Sequence, residues 1–209
     1  MKYGDIKIEA LKLMFINMGD DITIDKLGTY EQDDTYNAYL VNMPGSINRC
    51  LSALEGRGVL PFKSRVLEPT EGVASGVFIR FNLSNIIDDF YDIERVVSES
   101  SDGEYNGDCE YRTEGDTLVL DREDDIVYTL IYRPKVERVS SLTDNSKEID
   151  IPENVSSLIP YYVKGDLYRD DEPNEASDAR NWFEQGIEEI LLRKTNKVGR
   201  VKTVYSQTE

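Results

Sequence analysis

The 209-residue chain carries 41 acidic and 24 basic residues, no histidine and a formal charge of −17. That charge repels a phosphate backbone and argues against tight nucleic-acid binding through a broad basic surface; it suits solubility, and equally a surface that must not hold nearby DNA. Apolar residues, 39% of the chain, recur along its whole length, enough for one large domain or a small core with a satellite layer, and against disorder throughout.

The predicted elements fall in the order helix, strand, helix. Asp5 is placed to cap a helix that runs to about Met18. Its apolar residues form two stripes, Ile6, Ala10 and Leu13 on one side and Ile8, Leu11, Phe15 and Met18 on the other. Such a helix is buried on two sides, either wrapped by its own chain or packed partly against a neighbouring subunit. After a linker with Gly19, Asp20, Asp21 and Gly28, a helix is expected over 33–42. A second follows over 46–54, with Ile47, Cys50, Leu51 and Leu54 in register, Pro44 in its first turn and Gly56 and Gly58 as its stop.

From about Val59 to Val139 the texture turns to short runs rich in Val, Ile, Tyr and Phe. Strands are predicted at 62–67, 76–82, 93–99, 109–113, 117–120 and 126–132. Glu114–Gly115–Asp116 reads as a tight hairpin turn, and Pro134 as the end of the last strand. Short strands with polar turns point to an antiparallel sandwich or small barrel.

A polar linker over 140–150 leads to a helix beginning at Pro152 or Glu153. It shows Val155, Leu158, Ile159, Tyr162, Val163 and Leu167 on one face, with a kink or break expected at Pro160. Asp170–Pro173 forms an acidic turn. The helix after it, from about Asn174, carries Ala176, Ala179, Trp182, Phe183, Ile187, Ile190 and Leu191 and should fold back on the first as a hairpin. Leu158, Tyr162, Trp182 and Phe183 are the expected packing residues, with the Trp182–Phe183 pair as anchor. The segment from Asn196 to Glu209 is locally basic through Lys197, Arg200 and Lys202, and Val201, Val204 and Tyr205 suit a strand. It reads either as disordered or as a strand added to a partner's sheet. The expected class is therefore α+β, with N-terminal helices, a central antiparallel β-sandwich or barrel-like zone, and a C-terminal helical hairpin with an extended tail. Residues 1–58 and 140–195 would make a helical bundle, 59–139 a β-rich domain and 196–209 the tail.

Signals for chemistry are sparse. Without histidine there is no Ser–His–Asp or Cys–His catalysis, no HExxH site and little scope for catalytic zinc. Neither GxxxxGK(S/T) nor GxGxxG occurs, and Gly72–Phe78 only leads into a strand. Cys50 and Cys109 stand far apart, which predicts free thiols in a reducing compartment and neither a zinc site nor a disulfide scaffold. No signal-peptide core or membrane-crossing stretch is read. Asp88, Asp89, Asp124 and Asp125 are carboxylates of the type an acid–base pair needs, but they lie in runs that look like solvated loops. Asp121–Asp125 and Asp170–Glu172 lack the spacing of a calcium loop. Tyr105, Tyr111, Tyr128 and Tyr132 would suit a sugar-binding face, or an ordinary inter-sheet core.

The run Ile149–Asn154, then Leu158-Ile-Pro-Tyr-Tyr162-Val-Lys-Gly165-Asp-Leu-Tyr168, then Asp170–Pro173, then Ala176 and Ala179-Arg-Asn-Trp182-Phe-Glu, resembles the closing segment of tailed-bacteriophage head–tail connector (neck adaptor) proteins. The step Tyr132-Arg133-Pro134 before it, and Asn48, Leu51, Leu54 and Gly58-Val-Leu-Pro61 in the first zone, fit the same family. The resemblance covers most of the chain in order and texture, with specific wording confined to about residues 126–185. It departs at Gly165, where the family usually prefers alanine, and in the size of the β-rich zone. The resemblance implies a non-enzymatic structural subunit of the virion neck, assembled in the host cytoplasm, with no cofactor and no metal. It implies a homo-oligomeric ring of about twelve copies beneath the portal protein, with DNA passing through unbound and no membrane. The helices would build the ring and line the channel, and the β-zone would face outward or toward the next neck or tail protein. Lys197, Arg200, Val201, Lys202, Val204 and Tyr205 would then form the portal or partner interface. The alternative reading is a carbohydrate-binding or adhesion module carried on the β-rich zone.

Overall fold

The structure is a computed structural model that describes residues 1–15, 22–100, 105–123 and 126–197, with the backbone alone for 105, 106 and 195–197. The fold is mixed helix and sheet. N-terminal helices precede antiparallel sheets, C-terminal helices follow them, and the sheets are not closed into a barrel. The chain divides into two compact units, Met1–Ala53 with Arg138–Glu209, and Leu54–Glu137. The expected boundaries were 58/59 and 139/140.

The first unit opens with α1 (Tyr3–Met14). Asp5 is the third residue of this helix and not its cap: its carboxylate reaches back to accept from the Lys2 amide at 3.2 Å, which satisfies one of the donors a helix start leaves free. Ile6 and Ala10 on one side and Ile8, Leu11 and Phe15 on the other are all buried, as a helix apolar on two sides requires, while Leu13 is half-buried. The helix ends at Met14 with Phe15 as its C-cap, short of the expected Met18; residues 16–18 lie outside the described residues. Short turns of helix follow, a 3-10 turn at Ile24–Lys26 and α2 (Leu27–Tyr30). Then comes α3 (Asp34–Leu40), capped by Asp33, whose carboxylate accepts from the Thr35 amide at 2.9 Å. Helix α4 (Met43–Gly56) has Pro44 in its first turn and buries Ile47, Cys50 and Leu51.

The unit is completed from the far end of the sequence. Asn48 on α4 clamps the backbone of Val139, donating to its carbonyl at 2.7 Å and accepting from its amide at 2.9 Å. Residues 1–4 pair with 145–149: the Tyr3 amide donates to Lys147 O at 2.8 Å, Gly4 to Asn145 O at 2.9 Å, and Ile149 to Met1 O at 3.1 Å. The closing helices are α6 (Glu153–Ser156), α7 (Ile159–Leu167) and α8 (Pro173–Lys197). Pro160 explains the gap between the first two. Its missing N–H and its clash with the preceding turn end α6, and it is accommodated in the first turn of α7.

The second unit holds two four-stranded antiparallel sheets. It has a helical turn, α5 (Leu83–Ile86), and strands β1 (Lys63–Leu67), β2 (Val73–Ser75), β3 (Phe78–Asn82), β4 (Phe90–Ser100), β5 (Tyr105–Asp108), β6 (Arg112–Glu114), β7 (Thr117–Asp121) and β8 (Ile126–Pro134). The strand orders are β1-β8-β4-β5 and β2-β3-β7-β6. Alternation decides what fills the space between them: Tyr128, Leu130 and Tyr132 of β8 point inward with Val96, Phe81, Leu118 and Leu120, forming one apolar cluster. The sequence missed β2 and β5, which are short and exposed or glycine-containing, and α5. It started the 109–113 strand three residues early, and Pro134 ends β8 as expected.

Replacing Asn48 by alanine strips both hydrogen bonds from a partly buried backbone, at a cost of about 2 kcal/mol. Urea unfolding is expected to show that loss; an unchanged midpoint would mean that water replaces the clamp without penalty.

Candidate functional site

The most distinctive feature of the helical unit is the pair α7–α8. The two helices run antiparallel, with Gly165 facing Ala176 and Arg180, Tyr162 facing Phe183, and Leu158 lying on Gly186. A methyl group at Gly165 would stand 2.7 Å from Cγ of Arg180 and 3.1 Å from the Ala176 carbonyl oxygen. Arg180 arches over this contact and donates from Nε to Gly165 O at 3.2 Å. Glycine inside a helix costs roughly 1 kcal/mol relative to alanine, so its presence here reflects the close approach of the second helix. At Gly186 the opposing atoms all belong to the half-buried Leu158 side chain, the nearest being its terminal methyl Cδ2, and none is backbone, so the contact is relieved by a side-chain rotation.

The expected packing residues separate into two groups. Phe183 is 2% exposed and meets the Tyr162 ring edge-on, centroids 5.1 Å apart. Leu158 and Tyr162 are half-buried in the same seam. Trp182 does not pack there: it is 63% exposed. The reason is angular. Successive helical residues differ by 100°, so Phe183, in line with Ala176, Ala179, Ile187 and Ile190, turns its neighbour out of the seam. The anchor is therefore Phe183 alone. Leu192, further along α8, is 62% exposed. Asp178, Glu188 and Glu189 add acidic charge to the exposed surface of α8, with Glu189 pairing Arg193 at 3.4 Å. Lys197 is the last residue of α8, and its side chain lies outside the described residues, as do Arg200, Val201, Lys202, Val204 and Tyr205 entirely.

Helix α7 also holds the end of α1. Lys164 Nζ donates to Leu13 O at 2.8 Å and pairs with Glu175 at 2.7 Å, and the Tyr168 hydroxyl donates to Met14 O. A helix leaves its last carbonyls without partners and carries partial negative charge there, so an ammonium and a phenol are well suited to both needs. Tyr168 is buried beside Tyr39, ring centroids 5.6 Å apart, and burial first, then nearby acidic groups, push its pKa up to about 12. Burial does the same to Tyr3, over whose ring Lys7 Nζ lies at 4.6 Å. Lys7 is itself buried, and this lowers its pKa against the opposing pull of Glu31, 3.8 Å away. Sequence reasoning missed these contacts; the glycines inside the closing helices, Gly165 and Gly186, signal close packing of α7 on α8 and not these bonds.

The other candidate residues sit in ordinary structural roles. Asp88 is exposed. Asp89 accepts from Lys63 at 2.8 Å and from the Tyr132 hydroxyl at 2.9 Å. Burial pulls its pKa up, but these bonds outweigh it and hold the carboxyl below the usual range, so it stays ionised. Asp124 and Asp125 lie outside the described residues. The Tyr128 hydroxyl donates to Asp121 O at 2.7 Å, Asp170 pairs with Arg169 at 3.3 Å, and Asp171 accepts from Tyr39 at 3.2 Å. Tyr128 and Tyr132 are buried in the sandwich core and form no open platform, while Tyr111 is partly exposed and Tyr105 is described by backbone alone. Cys50 is buried, Cys109 half-buried, and both are free thiols. A cleft of about 430 Å³ at one end of the sandwich is lined by Ser98, Asp108, Cys109, Glu110, Leu120, Asp121, Glu123, Ile126 and Tyr128. Among the described residues no three His, Cys, Asp or Glu side chains are grouped to hold a metal ion, and no helix is long and apolar enough to cross a membrane. No model of a known protein family matches the chain, and a search of curated proteins gives no match.

Two predictions follow from the packing. Gly165→Ala gains up to about 1 kcal/mol of helix propensity but loses about 1–3 kcal/mol to crowding against a backbone carbonyl. The thermal midpoint is expected to fall, whereas Gly186→Ala leaves it nearly unchanged; equal effects would contradict the assigned contacts. A tyrosine whose folded pKa lies above its ordinary 10.0 keeps its proton in the folded state while the unfolded chain gives it up. The contribution of Tyr3 and Tyr168 to stability is thus constant below about pH 10 and falls as pH rises toward 12. Tyr168→Phe should lower the midpoint at neutral pH and make the alkaline fall shallower, as read by circular dichroism.

Proposed function

We propose that this chain is a non-enzymatic structural subunit of a tailed-phage neck, forming a ring that joins the portal to the tail and surrounds the DNA channel. The observation that carries the reading is the α7–α8 pair. The residues that carry the family wording, Leu158 to Phe183, make a tightly seated helical hairpin, yet its one tryptophan faces solvent. A tryptophan left out of its own core is the kind of residue that anchors subunit contacts, where aromatic side chains concentrate binding energy. Helix α8, with 25 residues and a length of about 37 Å, offers a neighbour an extended surface around it. The charge of −17 suits a channel along which DNA slides without being held. The basic segment 197–205 is the part offered to the portal.

The glycan-binding alternative has less support, since two of its four tyrosines are core residues.

Two experiments test the proposal. Removing residues 197–209 should abolish co-sedimentation with the portal protein of the same virion while leaving the thermal midpoint unchanged; retained binding would sink the assignment of that segment. Trp182→Ser should leave the fold intact and weaken self-association by about tenfold or more, measured by sedimentation velocity. Unchanged association would remove α8 as the subunit contact.

A further inference from the structure

We draw no further inference here: the strongest candidate, the cleft at one end of the sandwich rimmed by Asp108, Glu110, Asp121 and Glu123, is a cluster of acidic side chains with no second feature among the described residues that points to a ligand.

Discussion

The helical unit depends on the junction between the end of α1 and helix α7. Its two stretches of chain are separated in sequence by residues 54–137, so the unit exists only when groups about 150 positions apart meet. Bringing them together costs loop-closure entropy before any contact repays it, and the repayment must be concentrated. Lys164 and Tyr168 supply it by closing the carbonyls of Leu13 and Met14, and the ring cluster of Phe15, Tyr36, Tyr39 and Tyr168 adds apolar contact around the same point. Helix α8 packs on the same helix α7. The pairing of residues 1–4 with 145–149 and the Asn48 clamp seal the other seams of the same closure.

Charge is handled in the same economical way. Most of the ion pairs, such as Lys12–Glu9 and Arg193–Glu189, lie at the surface and add little stability. Charges withdrawn from water have specific partners. Lys7 lies against Tyr3 and Glu31, Glu55 accepts from the Val136 amide at 2.6 Å, and Lys164 is shared between a carbonyl and a carboxylate. Most of the remaining acidic side chains that the structure describes are exposed or partly exposed.

Much of this architecture was legible because it is local. Helical spacing identified both buried sides of α1, proline chemistry located the break before α7, and the spacing of Tyr128 and Tyr132 suited either a sugar-binding face or a core, of which the structure shows the core. What was hidden depended on partners distant in sequence. Nothing around Gly165 announces Arg180 above it, and nothing around Tyr168 announces Met14. Trp182 departs from expectation for a different reason: an apolar side chain suggests burial, but its 100° offset from Phe183 puts it outside the seam. The same residue, once seen exposed, is what gives the hairpin a functional reading. The short strands β2 and β5 escaped because edge strands carry little apolar signal.

The longest helix among the described residues carries an exposed tryptophan, and the neck reading assigns that surface to copies of the same chain. Native mass spectrometry of the full-length chain at micromolar concentration tests this most directly. The account predicts a closed assembly of about twelve copies of the 23.9 kDa chain. A strictly monomeric spectrum across the whole concentration range would contradict it.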